Sequence, residues 1–125
     1  MDLNMTILLV DDFATMRRIL KNVLKQIGFT KVVEADDGTT ALGALRKGKI
    51  DLIISDWNMP KMSGVELLKT IRSDESLKDI PFLMVTAEAQ KSSVLEAVQA
   101  GVNHYIVKPF TADTVMERLQ QIFDK

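Results

Sequence analysis

Residues 7–12 read ILLVDD, an uninterrupted apolar run that ends in two carboxylates. Four more short and mostly apolar runs follow along the chain, at residues 32–35, 50–55, 81–85 and 105–107. Between the runs, apolar residues recur three and four positions apart, which is the pattern of helices with one buried face. Apolar strands without polar alternation are typical of a parallel sheet that is buried on both faces. The sequence therefore predicts an α/β fold in which five β–α units form one doubly wound, five-stranded parallel sheet.

Serine and glutamate at capping-box spacing mark two predicted helix starts. Ser63 stands three residues before Glu66, and Ser93 stands three residues before Glu96. In this motif each side chain binds the backbone N–H of the other residue, so we expect helices to begin at both pairs. Residues 36–38 read DDG, which we interpret as a turn.

Composition narrows the class of protein. The chain has 125 residues, of which 46% are hydrophobic and 26% are charged, as expected for one globular domain. Its 16 basic and 17 acidic residues give a net charge of −1, so we expect neither a nucleic-acid nor a membrane partner. The absence of cysteine excludes disulfides and zinc thiolate sites. We expect a cytoplasmic protein, since residues 1–5 lack a signal-peptide pattern and no apolar run is long enough to cross a membrane.

Polar side chains follow four of the five predicted strands, at the edge where parallel sheets bind ligands. Asp11 and Asp12 follow the first strand, Asp56 the third, Thr86 the fourth and Lys108 the fifth. Three carboxylates and one ammonium sum to −2, which a divalent cation would compensate. Oxygen ligands suit Mg²⁺, and Mn²⁺ also fits. The hydroxyl and the ammonium suit the oxygens of a transferring phosphoryl group, so the set is equipped to form an aspartyl phosphate.

Simpler interpretations exist for single members of this set. Asp11 or Asp12 alone could cap the first helix, and Arg17 with Arg18 is interpreted as a solvated helix edge. The coincidence of compatible groups at separate strand ends favours a site. A metal-dependent phosphatase of small molecules is the alternative from a different class. Residues 36–39, DDGT, match part of a phosphatase motif, but alanine occupies its nucleophile position.

The chain resembles response-regulator receiver domains, and among them the CheY family of chemotaxis. The resemblance runs from Thr6 to Phe123. Its motifs are LVDDF at 9–13, TMRR at 15–18, SDWNMP at 55–60, VTAEA at 85–89 and VKPFT at 107–111. It implies a flavodoxin-like (βα)5 fold with strand order 2-1-3-4-5. It also implies one receiver domain over residues 1–125, without an effector domain.

The resemblance implies a metal site and a phosphorylation site at the strand ends. Asp56 would accept a phosphoryl group from a histidine kinase. Asp12 and Asp56 would bind Mg²⁺ through their carboxylates, Asn58 through its backbone carbonyl and Asp11 through water. Asn58 and Glu88 would tune the attack of water on the phosphoaspartate.

The resemblance also implies a conformational switch. Thr86 and Lys108 would hold the phosphoryl oxygens, with Lys108 preceding a cis peptide bond to Pro109. Tyr105 would turn inward when Thr86 moves toward the phosphate. A partner surface would comprise Ala89, Lys91, Val94, Tyr105, Val107, Ala112 and Arg118.

The function implied is that of a signalling switch in a two-component chemotaxis system, not of an enzyme. A monomer phosphorylated by the chemotaxis kinase would bind the flagellar motor switch protein and so control flagellar rotation. A phosphatase is a further expected partner. The alternative within the family is a paralogue that drains phosphoryl groups or serves another pathway.

Overall fold

The computed structural model of the protein describes residues 1–87 and 91–124, with backbone only for residues 91–93. The strands are β1 (Thr6–Val10), β2 (Lys31–Ala35), β3 (Leu52–Asp56), β4 (Phe82–Thr86) and β5 (His104–Val107). The helices are α1 (Ala14–Ile27), α2 (Gly38–Lys47), α3 (Gly64–Arg72), α4 (Lys91–Ala100) and α5 (Ala112–Phe123). All strand pairs are parallel and the order is β2-β1-β3-β4-β5, so the predicted fold is confirmed.

Alternate residues of each central strand pack into separate cores on the two faces of the sheet. In β1, Ile7 and Leu9 belong to one core, and Leu8 and Val10 belong to the other. The first core is completed by leucines of α1 and α5, and the second by apolar residues of α2 and α3. Because successive strand side chains point to opposite faces, a wholly apolar strand needs helices on both sides. β1, β3 and β4 meet that prediction.

β2 does not meet the prediction that every strand is buried on both faces. Within it only Ala35 is buried, while Lys31, Val33 and Glu34 are exposed. The reason is its position, because β2 pairs with β1 alone in the described sheet and forms one edge; β5 forms the other edge and also fails the prediction, since only Ile106 within it is buried. Charged side chains on such an edge discourage pairing with other chains.

Capping boxes begin α3 and α2, and a simple cap by the Thr111 side chain begins α5. Ser63 Oγ accepts from the Glu66 N–H at 3.2 Å, and Glu66 Oε1 accepts from the Ser63 N–H at 3.1 Å, as predicted. A second capping box, between Asp37 and Thr40, begins α2 at Gly38, the last residue of the predicted turn. The start predicted at Ser93 is wrong, because α4 begins at Lys91. Serine is tolerated inside a helix, so capping-box spacing alone does not locate a boundary.

The loop between β3 and α3 lies tightly against the end of β3. The Gly64 N–H donates to the Trp57 carbonyl at 2.8 Å. A Cβ atom on Gly64 would overlap the carbonyl oxygen of Asp56 and would lie 2.9 Å from Met84 Sδ. The absence of a side chain therefore allows α3 to begin directly beneath the carboxyl end of β3. Across residues 1–87 and 91–124, no helix combines the length and apolar character needed to cross a membrane.

Candidate functional site

Three carboxylates meet at the carboxyl ends of β1 and β3. Asp11, Asp12 and Asp56 each place one carboxylate oxygen within 4.8 Å of the other two. The juxtaposition follows from the topology, because β1 and β3 are neighbours and their ends lie side by side. Asp11 is 1% exposed and Asp56 is 8% exposed, and Asp12 is more accessible. The predicted acidic cluster is therefore formed.

Burial makes this cluster electrostatically unfavourable by itself. It raises the pKa of Asp11, and the hydrogen bond from the Phe13 N–H at 2.9 Å only partly opposes it. Burial likewise raises the pKa of Asp56, against the opposing charge of Lys108. Asp11 Oδ2 is buried, and no residue that the structure describes donates a hydrogen bond to it. A cation that binds oxygen would satisfy this oxygen and offset the carboxylate charge.

Lys108 reaches the cluster from the end of β5. Its Nζ lies 3.2 Å from Asp56 Oδ1 and 3.7 Å from Asp11 Oδ2. Its backbone N–H donates to the carbonyl of Thr86 at 2.7 Å, and the following bond to Pro109 is cis, as predicted. Thr86 itself is buried at the end of β4. The ammonium therefore contacts two of the carboxylates from a strand that is not adjacent to either of theirs.

Only one of the two carboxylate oxygens of Asp56 accepts hydrogen bonds from described residues. Its Oδ1 accepts from the Trp57 N–H at 2.9 Å and from Lys108 Nζ at 3.2 Å. In the described part of the chain, these are the only hydrogen bonds to this carboxylate, and both use Oδ1. Asn58 is exposed in the loop after β3, and no hydrogen bond or ion pair between described residues joins it to the carboxylates.

Part of the predicted partner surface lies on α4, β5 and α5. Tyr105 is half-buried and packs against the core, and its carbonyl accepts from Arg118 Nε at 3.3 Å. Val94 and Ala112 are half-buried, whereas Val107 is exposed. Glu88, Ala89 and the side chain of Lys91 lie outside the described residues.

The structure contradicts two of the simpler interpretations. Neither Asp11 nor Asp12 caps α1, because the N-cap residue is Phe13 and it makes no side-chain cap. The Asp11 carboxylate instead accepts from Phe13 N, before the helix begins. Arg17 is not solvated, since its side chain is 17% exposed. Arg18 is exposed, as predicted.

Arg17 is a residue of the site that the sequence prediction missed. Its Nη1 donates to the backbone carbonyl of Asp11, and its Nε donates to Glu34 Oε1 at 3.1 Å. The signal that could have identified it is helical periodicity. Arg17 lies three residues before Leu20 and seven before Leu24, the two buried residues of α1, and so shares their face.

Comparisons with known proteins agree with this architecture. The family model described as response regulator receiver domain matches residues 7–120. Chemotaxis protein CheY-3 of Vibrio cholerae is 60% identical over 122 residues, which are 98% of this chain and 94% of that protein. Chemotaxis protein CheY of Pseudomonas aeruginosa is 57% identical over 121 residues, which are 97% of this chain and 98% of that protein.

Solved structures show the same similarity. Chemotaxis protein CheY4 of Vibrio cholerae superposes with a TM-score of 0.89 at 35% identity, over 96% of this chain and 99% of that one. The receiver domain of sensor histidine kinase PA1611 from Pseudomonas aeruginosa superposes with a TM-score of 0.87 at 27% identity, over 98% of this chain and 99% of that one. That structure has a magnesium ion coordinated in its active site cleft. With its sheet order, its acidic cluster and these relatives, the chain belongs to the response regulator receiver domain family and is CheY-like.

Proposed function

We propose that this protein is a phosphorylation-driven switch of chemotaxis, in which Asp56 accepts a phosphoryl group from a histidine kinase. The observation that carries the proposal is the contact of Lys108 Nζ with both Asp56 and Asp11 inside a buried acidic cluster. The names of the relatives support the chemotaxis assignment. The protein acts in the cytoplasm as a monomer, and it promotes only its own phosphorylation and dephosphorylation.

Mg²⁺ is the proposed cofactor, and Mn²⁺ also fits. Asp12 and Asp56 would bind it through carboxylate oxygens, Asn58 through its backbone carbonyl and Asp11 through water. Asp11 Oδ2, which accepts no hydrogen bond from a described residue, and the raised pKa of Asp11 and Asp56 support a cation at this place. The magnesium ion in the related receiver domain supports the same assignment. When bound, the cation neutralises the carboxylates and the incoming phosphoryl oxygens.

The proposed chemical step is an in-line phosphoryl transfer. The carboxylate of Asp56 attacks phosphorus, most directly through Oδ2, because Oδ1 is already held by Trp57 and Lys108. An O–P bond forms as the P–N bond of the kinase phosphohistidine breaks, and its electron pair returns to the imidazole. Lys108 and Thr86 then donate to the phosphoryl oxygens, with Lys108 giving up its contact to Oδ1. Asn58 and Glu88 would regulate the later attack of water.

The proposed output is a change in the surface formed by α4, β5 and α5. Thr86 would move toward the phosphoryl group and the Tyr105 side chain would follow it inward. This movement would change the shape of the surface that a partner protein contacts. Val98 on α4 is 57% exposed and Val107 on β5 is 37% exposed, so this surface offers apolar contacts, and the guanidinium of Arg118 on α5 contacts the backbone of β5 at Tyr105. The proposed partner is the flagellar motor switch protein. A phosphatase would be a second partner that ends the signal.

The deciding experiment titrates the amino-terminal peptide of a flagellar switch protein into the protein with Mg²⁺, with and without beryllofluoride. We expect beryllofluoride to increase the affinity for the peptide, and Asp56→Asn to abolish both this increase and labelling by a phosphorylated histidine kinase. EDTA should prevent labelling, and equal labelling with EDTA would refute the metal-assisted step.

Two outcomes would favour the alternatives. Labelling of Asp56 without any gain in peptide affinity would assign the protein to phosphate drainage or to another pathway. Repeated turnover of small phosphate esters by the protein alone would identify a phosphatase. Stable labelling of the Asp56→Asn variant would place the acceptor elsewhere.

A further inference from the structure

Arg17 links the backbone of the acidic cluster to the edge of the sheet. It donates from Nη1 to the carbonyl of Asp11 and from Nε to Glu34 on β2. Only 17% of its side chain is exposed, although the neighbouring Arg18 is exposed. A planar guanidinium can hold two acceptors in fixed directions, which the ammonium group of lysine cannot reproduce.

The carbonyl that Arg17 holds belongs to the peptide unit between Asp11 and Asp12. Because this unit is planar, fixing the carbonyl of Asp11 also fixes the direction in which the backbone enters Asp12. The Asp11 N–H is fixed in turn by the carbonyl of Ala35 at 3.1 Å. Among residues 1–87 and 91–124, no hydrogen bond or ion pair restrains the Asp12 carboxylate itself. Its direction therefore depends on the backbone that Arg17 holds.

We propose that Arg17 is a positioning residue for the metal site, which holds the Asp11–Asp12 peptide so that the Asp12 carboxylate is oriented to bind Mg²⁺. This inference rests on the proposed function, because it concerns the Mg²⁺ affinity of the same site. Metal sites commonly depend on such outer partners for the orientation of their ligands. Glu34 forms an ion pair with the Arg17 guanidinium and so offsets its positive charge. Arg17 can therefore lie close to the acidic cluster without strongly repelling a bound Mg²⁺ ion.

Charge and positioning predict opposite effects of removing Arg17. If the guanidinium acted only as a nearby positive charge, its loss would make the site more negative and would strengthen Mg²⁺ binding. If it positions Asp12, its loss allows the peptide unit to rotate and weakens Mg²⁺ binding. The sign of the change therefore separates the two roles.

The test is a Mg²⁺ titration of the full chain, followed by Trp57 fluorescence and independently by calorimetry. We expect Arg17→Ala to raise the dissociation constant for Mg²⁺ about tenfold. Arg18→Ala is the matched control, because it removes the same charge from an exposed neighbour, and it should leave Mg²⁺ affinity unchanged or slightly higher. Arg17→Lys keeps the charge without the planar donor pair, so it should also weaken binding.

The outcomes separate this inference from the proposed function. Equal Mg²⁺ affinity of Arg17→Ala and Arg18→Ala would overturn the positioning role while leaving the metal site intact. Failure of the unmodified protein to bind Mg²⁺ would overturn both proposals. If thermal unfolding shows that Arg17→Ala is not folded, Arg17→Lys decides the matter, and wild-type affinity in that variant would refute the inference.

Discussion

Replacing Gly64 by alanine should destabilise the protein by overpacking alone. The added Cβ would overlap the Asp56 carbonyl oxygen and lie 2.9 Å from Met84 Sδ. Gly64 does not have a positive φ, so alanine is compatible with its backbone conformation and the cost is steric. Forcing a methyl group into a packed region typically destabilises a protein by about 1–3 kcal/mol. Because the nearest atom here belongs to the backbone, which cannot move aside as a side chain can, we expect a cost in the upper half of that range.

Gly43→Ala is the matched control, because apart from its own stretch of helix backbone the same methyl group would meet no described atom within 4 Å. Gly43 lies inside α2, where alanine is favoured over glycine by about 0.5–1 kcal/mol, so this variant should be more stable than the wild type. The two variants should then differ by about 3 kcal/mol in free energy of unfolding, or roughly 10 °C in Tm for a domain of this size.

Thermal and urea unfolding without Mg²⁺ measure this difference directly. A second readout is Mg²⁺ affinity, which should fall for Gly64→Ala, because the methyl group pushes on the residue that carries the Asp56 carboxylate. Equal stability of the two variants would refute the argument that α3 can begin beneath β3 only because residue 64 lacks a side chain.

Three further predictions follow from other contacts. Arg72→Ala should lower the free energy of unfolding by about 3 kcal/mol in urea, because Arg72 donates to three backbone carbonyls and to Asn103 Oδ1. Unchanged stability would contradict it. Burial raises the pKa of Asp11, which means that the folded protein favours the protonated form of this carboxyl group. The stability that Asp11 contributes is therefore greatest below the ordinary pKa of 3.8, and it is lost as the pH rises through the folded-state pKa. Asp11→Asn should therefore stabilise the metal-free protein at neutral pH, with a gain that disappears below 3.8; a gain independent of pH would oppose this account. Lys108→Arg should still permit labelling of Asp56 but abolish the increase in peptide affinity, and wild-type affinity would argue against Lys108 as part of the switch.

The features predicted best from sequence depend on neighbouring residues in the chain, or on neighbouring residues combined with the rule that parallel strands end at one edge of the sheet. The acidic cluster could be predicted because Asp11 and Asp56 follow apolar strands directly, and parallel strands place their carboxyl ends at one edge. The capping box of Ser63 and Glu66 could be predicted for a similar reason, since both partners are local.

The features that could not be predicted depend on neighbours distant in the chain. The apolar run at residues 32–35 does not by itself indicate an edge strand, because the number of neighbouring strands is decided by the whole topology; only the strand order implied by the family resemblance placed it there. The two acceptors of Arg17 lie 6 and 17 residues away along the chain and come together only once β1 and β2 have paired. A prediction based on side-chain type alone therefore placed Arg17 in solvent.

β5 has a consequence for how easily different parts of the sheet open. Among the strands of the described ranges it is the shortest, with four residues, and within the sheet it pairs with β4 alone. β1, by contrast, has five residues and is paired along both sides. Local opening requires the least free energy where fewest interactions must be broken, so amide hydrogens of β5 should exchange with solvent faster than those of β1. Tyr105 lies within β5, Lys108 follows it directly and Thr86 ends the neighbouring β4. Two of the three residues proposed to carry the signal therefore lie in or next to the least anchored strand, and rearrangement there leaves the pairing of β1 with β2 and β3 intact.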